Sequence, residues 1–222
     1  MTNIEEKIGY KFKNADLLKN ALSHSSYANE KKCPNNERLE FLGDSVLSVI
    51  MSDYLYKRLS DTREGDLSKL RASLVCDQSL DEVARRMGLH EEIKLGHGEE
   101  RTGGRTRPSI ISDAFEAVLA AIYLDSNLET ARKWLISVMC GDIEDAINGK
   151  RYEDYKSKLQ ECLQKTHAGE ISDELVKEEG QAHLKTFTVQ VMLDKKILGN
   201  GSGHTKKEAE QKAAQMALEG LK

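Results

Sequence analysis

A chain of 222 residues has room for one large domain or for one medium and one small one, since domains typically run to roughly 100–200 residues. Its 39% hydrophobic and 32% charged residues are ordinary for a globular protein, and no stretch approaches the roughly 18 consecutive apolar residues of a membrane span. The formal net charge of −4 is not the basic balance common among nucleic-acid binders, but it is unevenly spread: from Arg151 onward 12 Lys and Arg meet 12 Asp and Glu, leaving 21 against 25 upstream. An acidic excess of that kind suits a site that collects divalent cations, and equally a solvated surface.

Residues 1–13 are polar and lack a signal-peptide core, so a cytoplasmic location is expected. Apolar periodicity then predicts helices over 14–24, 37–60, 64–87, 109–124 and 128–147, with Pro34 and Pro108 just ahead of helix starts. Almost nothing in this part reads as strand. Cys33, Cys76, Cys140 and Cys162 form no C-x-x-C pair and read as reduced thiols rather than a zinc site or a disulfide framework. Between 143 and 155 the pattern turns polar around Asn148-Gly149-Lys150-Arg151, which sets an expected boundary: one domain over 1–147, a linker over 148–153 and a second domain over 154–222.

Downstream the period changes. Residues 152–166 read as helix and 174–179 as a first strand, while 184–193 places Phe187, Val189, Val191 and Leu193 on one face of a second strand. Asp194-Lys195-Lys196 is a turn, 197–201 a third strand, and 205–221 a closing helix whose stripe of Ala209, Ala213, Ala217 and Leu221 is expected inside. The fold expected is an all-α domain followed by a small α+β domain of order α-β-β-β-α.

The predicted helix 37–60 carries Glu37, Glu40 and Asp44 at spacings of three and four, on one face. Leu39, Phe41, Leu42, Val46, Leu47, Val49 and Ile50 make that helix apolar nearly all round, which predicts burial on several sides. Asp113 and Glu116 repeat the situation, three apart in an apolar run. Arg38, the one base near either set, stands one to two positions from Glu37 and Glu40 and does not share their face. For a single such pair helix capping is the better account: Asp113 and Glu116 have capping-box spacing, and Asn35 or Asn36 is placed to cap the other helix with Glu37 or Glu40 assisting. Two pairs shift the balance, because four converging carboxylates without bases repel unless a divalent cation neutralises them. Oxygen-only ligands suit Mg²⁺, and the chemistry that follows is metal-assisted phosphodiester hydrolysis.

The run Asn36-Glu-Arg-Leu-Glu-Phe-Leu-Gly-Asp-Ser-Val-Leu47 resembles the signature of the ribonuclease III family. The segments 22–30, 65–72 and 103–117 resemble the same family in the same order, so the likeness covers nearly the whole chain. It implies a helical, homodimeric endonuclease domain with Glu40, Asp44, Asp113 and Glu116 as catalytic magnesium ligands, Mn²⁺ being able to substitute, and with no organic cofactor. Glu37 and Glu64 match further acidic positions of the family, and Ser112 stands where many members have Ala. The resemblance also implies cleavage that leaves 5′-phosphate and 3′-hydroxyl ends, in the processing or decay of rRNA precursors and mRNA, and RNA contacts at Arg107 and Ser109.

The carboxy-terminal part resembles a double-stranded RNA-binding domain through Lys158-Leu-Gln-Glu-Cys-Leu-Gln164, Gly180-Gln-Ala-His183 and Gly201-Ser-Gly-His-Thr-Lys-Lys-Glu-Ala-Glu210. Thr205, Lys206 and Lys207 at a helix start would form a phosphate clamp, while Gln160, Glu161, Gln164 and His183 would meet the minor groove. Alone, the lysines read as a solvated face and Gly199-x-Gly-x-Gly203 as a hairpin exit. Gln181 departs from the common pattern, in which Pro precedes the loop histidine, and the zero net charge predicts easily salt-disrupted binding. Two rival readings remain. One is a non-catalytic RNA-binding regulator, against which the intact carboxylate set counts; the other is a helical hydrolase of small phosphorylated molecules, which has no use for the second domain.

Overall fold

The computed structural model describes residues 3–149, 155–165, 169, 171–179, 185–203 and 205–221. They form two compact units, Met1–Arg151 and Tyr152–Lys222. The first unit is helical throughout: α1 (Asn3–Ile8), α2 (Ala15–Ala21), α3 (Ser25–Lys31), α4 (Glu37–Arg58), α5 (Glu64–Val75), α6 (Asp77–Arg86), α7 (Leu89–Glu92), α8 (His97–Arg101), a 3-10 turn at Gly104–Thr106, α9 (Pro108–Asp125) and α10 (Leu128–Ile147).

Helix α9 is the centre of this unit. Ile110, Ile111, Ala114, Phe115 and every residue from Ala117 to Ile122 are buried, so the helix is apolar almost all round and is packed by α2, α4, α6 and α10. Pro108 starts it at the first helical position, where a missing N–H costs nothing. Its far end is tied down by Asp125, which accepts hydrogen bonds from the backbone N–H groups of Lys13 and Asn14 and from the Tyr10 hydroxyl. Phe115 stacks obliquely on Trp134 of α10, ring centroids 5.4 Å apart, and the Trp134 indole N–H donates to the Ile8 carbonyl at 2.9 Å.

Three expectations change here. The helix expected over 64–87 is two helices, because Cys76 is extended (φ −76°, ψ 156°) between α5 and α6. The one expected over 14–24 stops at Ala21; His24 is extended, its Nδ1 accepts from the Ser26 N–H, and α3 starts there. Helix α4 is not enclosed on all sides, since Phe41 is 78%, Tyr56 73% and Val49 55% exposed. Its apolar residues therefore divide between an inner stripe, Leu39, Val46, Leu47, Ile50 and Leu55, and an outer one, Phe41, Val49 and Tyr56, that no described residue of this unit covers.

The second unit comprises α11 (Tyr155–Lys165), β1 (Ile171–Glu179), β2 (Thr186–Leu193), β3 (Lys196–Gly203) and α12 (Lys206–Gly220). The strands form an antiparallel meander in the order β1-β2-β3. Asp194 (φ 46°) and Lys195 (φ 70°) make the β2–β3 turn with both central residues left-handed, which matches the twist of a two-residue hairpin. Leu159, Leu163, Val191, Ala213, Ala214 and Ala217 form the core. Gly199 and Gly201 lie against α12: a Cβ at Gly201 would stand 2.2 Å from the Ala209 carbonyl oxygen and the Ala213 nitrogen, and one at Gly199 2.4 Å from the Ala213 carbonyl oxygen. These glycines thus serve packing, which a hairpin exit alone does not require. Leu221, expected inside, is 45% exposed because α12 ends at Gly220 and its buried stripe stops at Ala217.

Candidate active site

The two acidic pairs meet where α4 crosses α9. The crossing is close because Gly43, between Glu40 and Asp44, faces the Glu116 backbone: a Cβ there would lie 2.0 Å from the Glu116 carbonyl oxygen. Glycine therefore lets the helices touch backbone to backbone at the level of the acids. Asp113 and Glu116 are the sixth and ninth residues of α9, too deep in the helix to cap it, and the Asn36 side chain makes no capping bond to α4. The capping alternative falls with those two observations.

The electrostatics follow from the packing. Glu116 is half-buried and its pKa is raised to about 8, chiefly by burial, then by the charges of Asp44, Asp113, Glu40 and Asp77. Asp113 is raised to about 7, again chiefly by burial, then by Glu40 and Asp77. Glu40 is raised by burial, then by Glu37 and Asp44. The acids of α9 thus feel the carboxylates of α4, and among the described residues none of the four has an ion pair or hydrogen bond to a basic group.

A cation-free cluster of this kind fits a hard divalent ion in its chemistry: oxygen donors only, repelling one another, with no base to neutralise them. Among the described residues no three such side chains already converge tightly enough to enclose an ion. That is compatible with magnesium, which keeps several of its waters and needs no all-protein cage.

The remaining expected site residues are dispersed. Glu37 is exposed on α4 and acts on Glu40. Glu64, the first residue of α5, accepts from the Ser68 hydroxyl at 2.9 Å and lines a separate cleft of about 410 Å³ with Ser52, Tyr56 and Arg71. It is not among the charges acting on Glu40, Asp113 or Glu116. Arg107 precedes α9 and its guanidinium lies 2.8 Å from Glu99; the Ser109 carbonyl accepts from the Ser112 hydroxyl at 2.9 Å. One acid went unnoticed in the sequence, Asp77. It sits in another helix, and only the packing of α6 on α9 brings it within reach.

In the second unit Gln160, Glu161 and Gln164 are exposed on α11 while Leu159 and Leu163 are buried. Thr205 caps α12, its hydroxyl accepting from the Glu208 N–H at 3.1 Å. Lys206 is exposed, with its ammonium 5.9 Å above the centre of the Phe187 ring. His183 and the Lys207 side chain lie outside the described residues, as does the loop that carries Gln181.

The chain is similar to proteins of one family over nearly its whole length. A family profile described as ribonuclease-III-like matches residues 14–143, and one for the double-stranded RNA binding motif matches 155–221. A protein named Ribonuclease 3 from Caldanaerobacter subterraneus is 49% identical over 223 residues, covering 100% of this chain and 98% of its own. A protein of the same name from Clostridium acetobutylicum is 47% identical, with coverage of 100% and 96%. The crystal structure of the nuclease domain of ribonuclease III from Campylobacter jejuni, 41% identical, superposes with a TM-score of 0.59 over 64% of this chain and 97% of its own. This chain belongs to the ribonuclease III family and is an endoribonuclease of double-stranded RNA.

Proposed function

We propose that this endoribonuclease works as a magnesium-dependent homodimer in which Glu40, Asp44, Asp113 and Glu116 of each chain cut one strand of an RNA duplex. The observation that carries the reading is the α4–α9 crossing at Gly43, which sets Asp113 and Glu116, half-buried and without a basic partner among the described residues, within reach of the charges of Glu40 and Asp44. Glu40 and Asp44 would hold the ion from one helix and Asp113 and Glu116 from the other. Magnesium, when bound, supplies an activated water and stabilises the leaving oxygen, so that 5′-phosphate and 3′-hydroxyl ends result. The residues' own part is to place negative charge at a rigid crossing and to release protons: Asp113 and Glu116, with pKa values of about 7 and 8, hold a substantial share of theirs at neutral pH and must lose them to become ligands.

Duplex binding is assigned to α11 and the start of α12, where Thr205, Lys206 and Lys207 meet phosphates and Gln160, Glu161, Gln164 and His183 meet the minor groove. Arg107 and Ser109 add contacts beside the nuclease site, Glu37 and Glu64 supply accessory charge, and residues 148–153 link the two domains. The homodimer is supported by the outer stripe of α4, above all Phe41 at 78% exposure, an apolar surface that water does not favour. Processing of rRNA precursors and mRNA in the cytoplasm is the role such an activity suits. The test is incubation of the full chain with a long RNA duplex, with Mg²⁺ and with EDTA. Cleavage only with Mg²⁺, leaving 5′-phosphate ends, is expected; binding without cleavage would establish the regulator instead.

A further inference from the structure

Where β1 ends and β2 begins, four side chains from three segments gather on one face of the sheet. Glu178 of β1 stands opposite Phe187 of β2, so the two share a face, the same one on which Val189 and Val191 are buried. Lys185 lies two residues before Phe187, and its ammonium reaches diagonally across to Glu178, Nζ to Oε1 2.5 Å. Lys206, the first residue of α12, holds its ammonium 5.9 Å above the centre of the Phe187 ring. Its charge bears on Glu178 as well. One carboxylate thus serves two cations, beside an aromatic floor.

The fold has little need of this arrangement. The Lys185 and Glu178 side chains are 42% and 38% exposed, and ion pairs so open to water add little to stability. Two ammonium groups repel, and they collect at one place only where an anion draws them together. In the free chain that anion is Glu178. On a duplex a phosphate oxygen can take the same part, because Lys185 stands between His183, assigned above to the minor groove, and Lys206, assigned to phosphates. The Phe187 ring attracts the Lys206 ammonium through its π face but accepts no strong hydrogen bond, which leaves the lysine's three donors for an incoming oxygen.

We propose that Lys185 is a further phosphate contact of the RNA-binding unit and that Glu178 is its built-in competitor: the carboxylate holds the Lys185 ammonium in the free chain, and a phosphate oxygen of the duplex replaces it on binding. The inference rests on the assignment of Lys206 to phosphates given above. Exchanging one anion for another makes binding weaker and less salt-dependent than the number of lysines alone predicts. For each phosphate that Lys185 neutralises, Glu178 is left to collect a counterion.

The experiment titrates the full-length protein with a labelled RNA duplex in EDTA, so that nothing is cut, over a series of KCl concentrations. The chains compared are wild type, Glu178→Gln, Lys206→Ala, and Glu178→Gln combined with either Lys185→Ala or Lys196→Ala. Lys196, exposed at the opposite end of β2, controls for the change in net charge. Glu178→Gln is expected to bind about 3–10-fold more tightly at roughly 0.15 M salt and to steepen the slope of log affinity against log salt by up to about 1. Adding Lys185→Ala should return the affinity to wild type or below and lower the slope by about 1, whereas adding Lys196→Ala should change the slope little. If Lys185 merely neutralises Glu178, its removal from the Glu178→Gln chain does no more than that of Lys196, and the proposal is overturned. Glu178→Gln binding no more tightly than wild type overturns the competitor. An unchanged slope in Lys206→Ala would instead sink the assignment on which the inference rests; a lowered slope there, with Lys185 silent, sinks the inference alone.

Discussion

Glu116 shows how burial and function meet in one side chain. Its pKa of about 8 and that of Asp113, about 7, lie far above the ordinary 4.5 and 3.8, so the folded chain without metal holds protons that the unfolded chain has lost. Stability from these protonated acids is complete below about pH 4 and is lost as pH rises through 7 to 8. Glu116→Gln removes the titrating group while keeping its size, so in EDTA the variant's melting temperature should gain on wild type between pH 5 and pH 8.5. A difference constant across that range would contradict the burial argument. In Mg²⁺ the same variant should bind duplex normally and lose cleavage by orders of magnitude, as single-turnover assays would measure. Gly43 is the second decisive residue. Gly43→Ala puts a methyl group 2.0 Å from a backbone oxygen, which no side-chain rotation relieves. A loss of at least ~1–3 kcal/mol, read from the urea midpoint, is expected, with cleavage impaired beyond what unfolding explains.

At the level of elements, α4 and α9 show what periodicity can and cannot say. The spacing of Glu37, Glu40 and Asp44, and of Asp113 and Glu116, places each set on one helical face wherever the helix goes. That α4 keeps Phe41, Val49 and Tyr56 outside is not written in the same pattern, since an apolar residue carries no mark of which partner covers it. The break at Cys76 was equally hidden, because apolar spacing runs on through it while the backbone does not. In the RNA-binding unit the start of α12 combines a Thr205 cap with the exposed Lys206. Lys206→Ala should weaken duplex binding about equally for all sequences and lower the slope of log affinity against log salt by about 1. An unchanged slope in filter-binding titrations would place this lysine away from the phosphates.

For the whole molecule, two strands related by a local two-fold axis call for two sites related the same way, which a two-fold dimer supplies. Phe41→Asp, on the outer stripe of α4, should yield a monomer in sedimentation with its helix content kept, since Phe41 is outside the core. A purified mixed dimer, one wild-type chain beside one with Glu40, Asp44, Asp113 and Glu116 all changed to Ala, should bind duplex but only nick it, as paired native and denaturing gels would show. Efficient double-strand cleavage by that species, without subunit exchange, would refute one strand per chain.

Sequence alone determined the long helices of the first domain, the α-β-β-β-α order of the second, the family and both acidic pairs, while the short helices α1, α3, α7 and α8 carried no periodicity long enough to read. Periodicity and motif are local properties, written within one or two turns of chain. Tertiary structure decided what depends on distant segments approaching each other. Gly43 was legible as a motif residue, yet its use as the contact that seats α4 on Glu116 emerged only from the crossing. The alanine stripe of α12 was legible, whereas its fit to Gly199 and Gly201 belongs to packing between a helix and a strand. Asp77 had no acid of the site near it in sequence, and its nearness to Asp113 and Glu116 exists because α6 lies on α9. Electrostatic coupling depends on distance through space, and that distance is set by which backbones can touch.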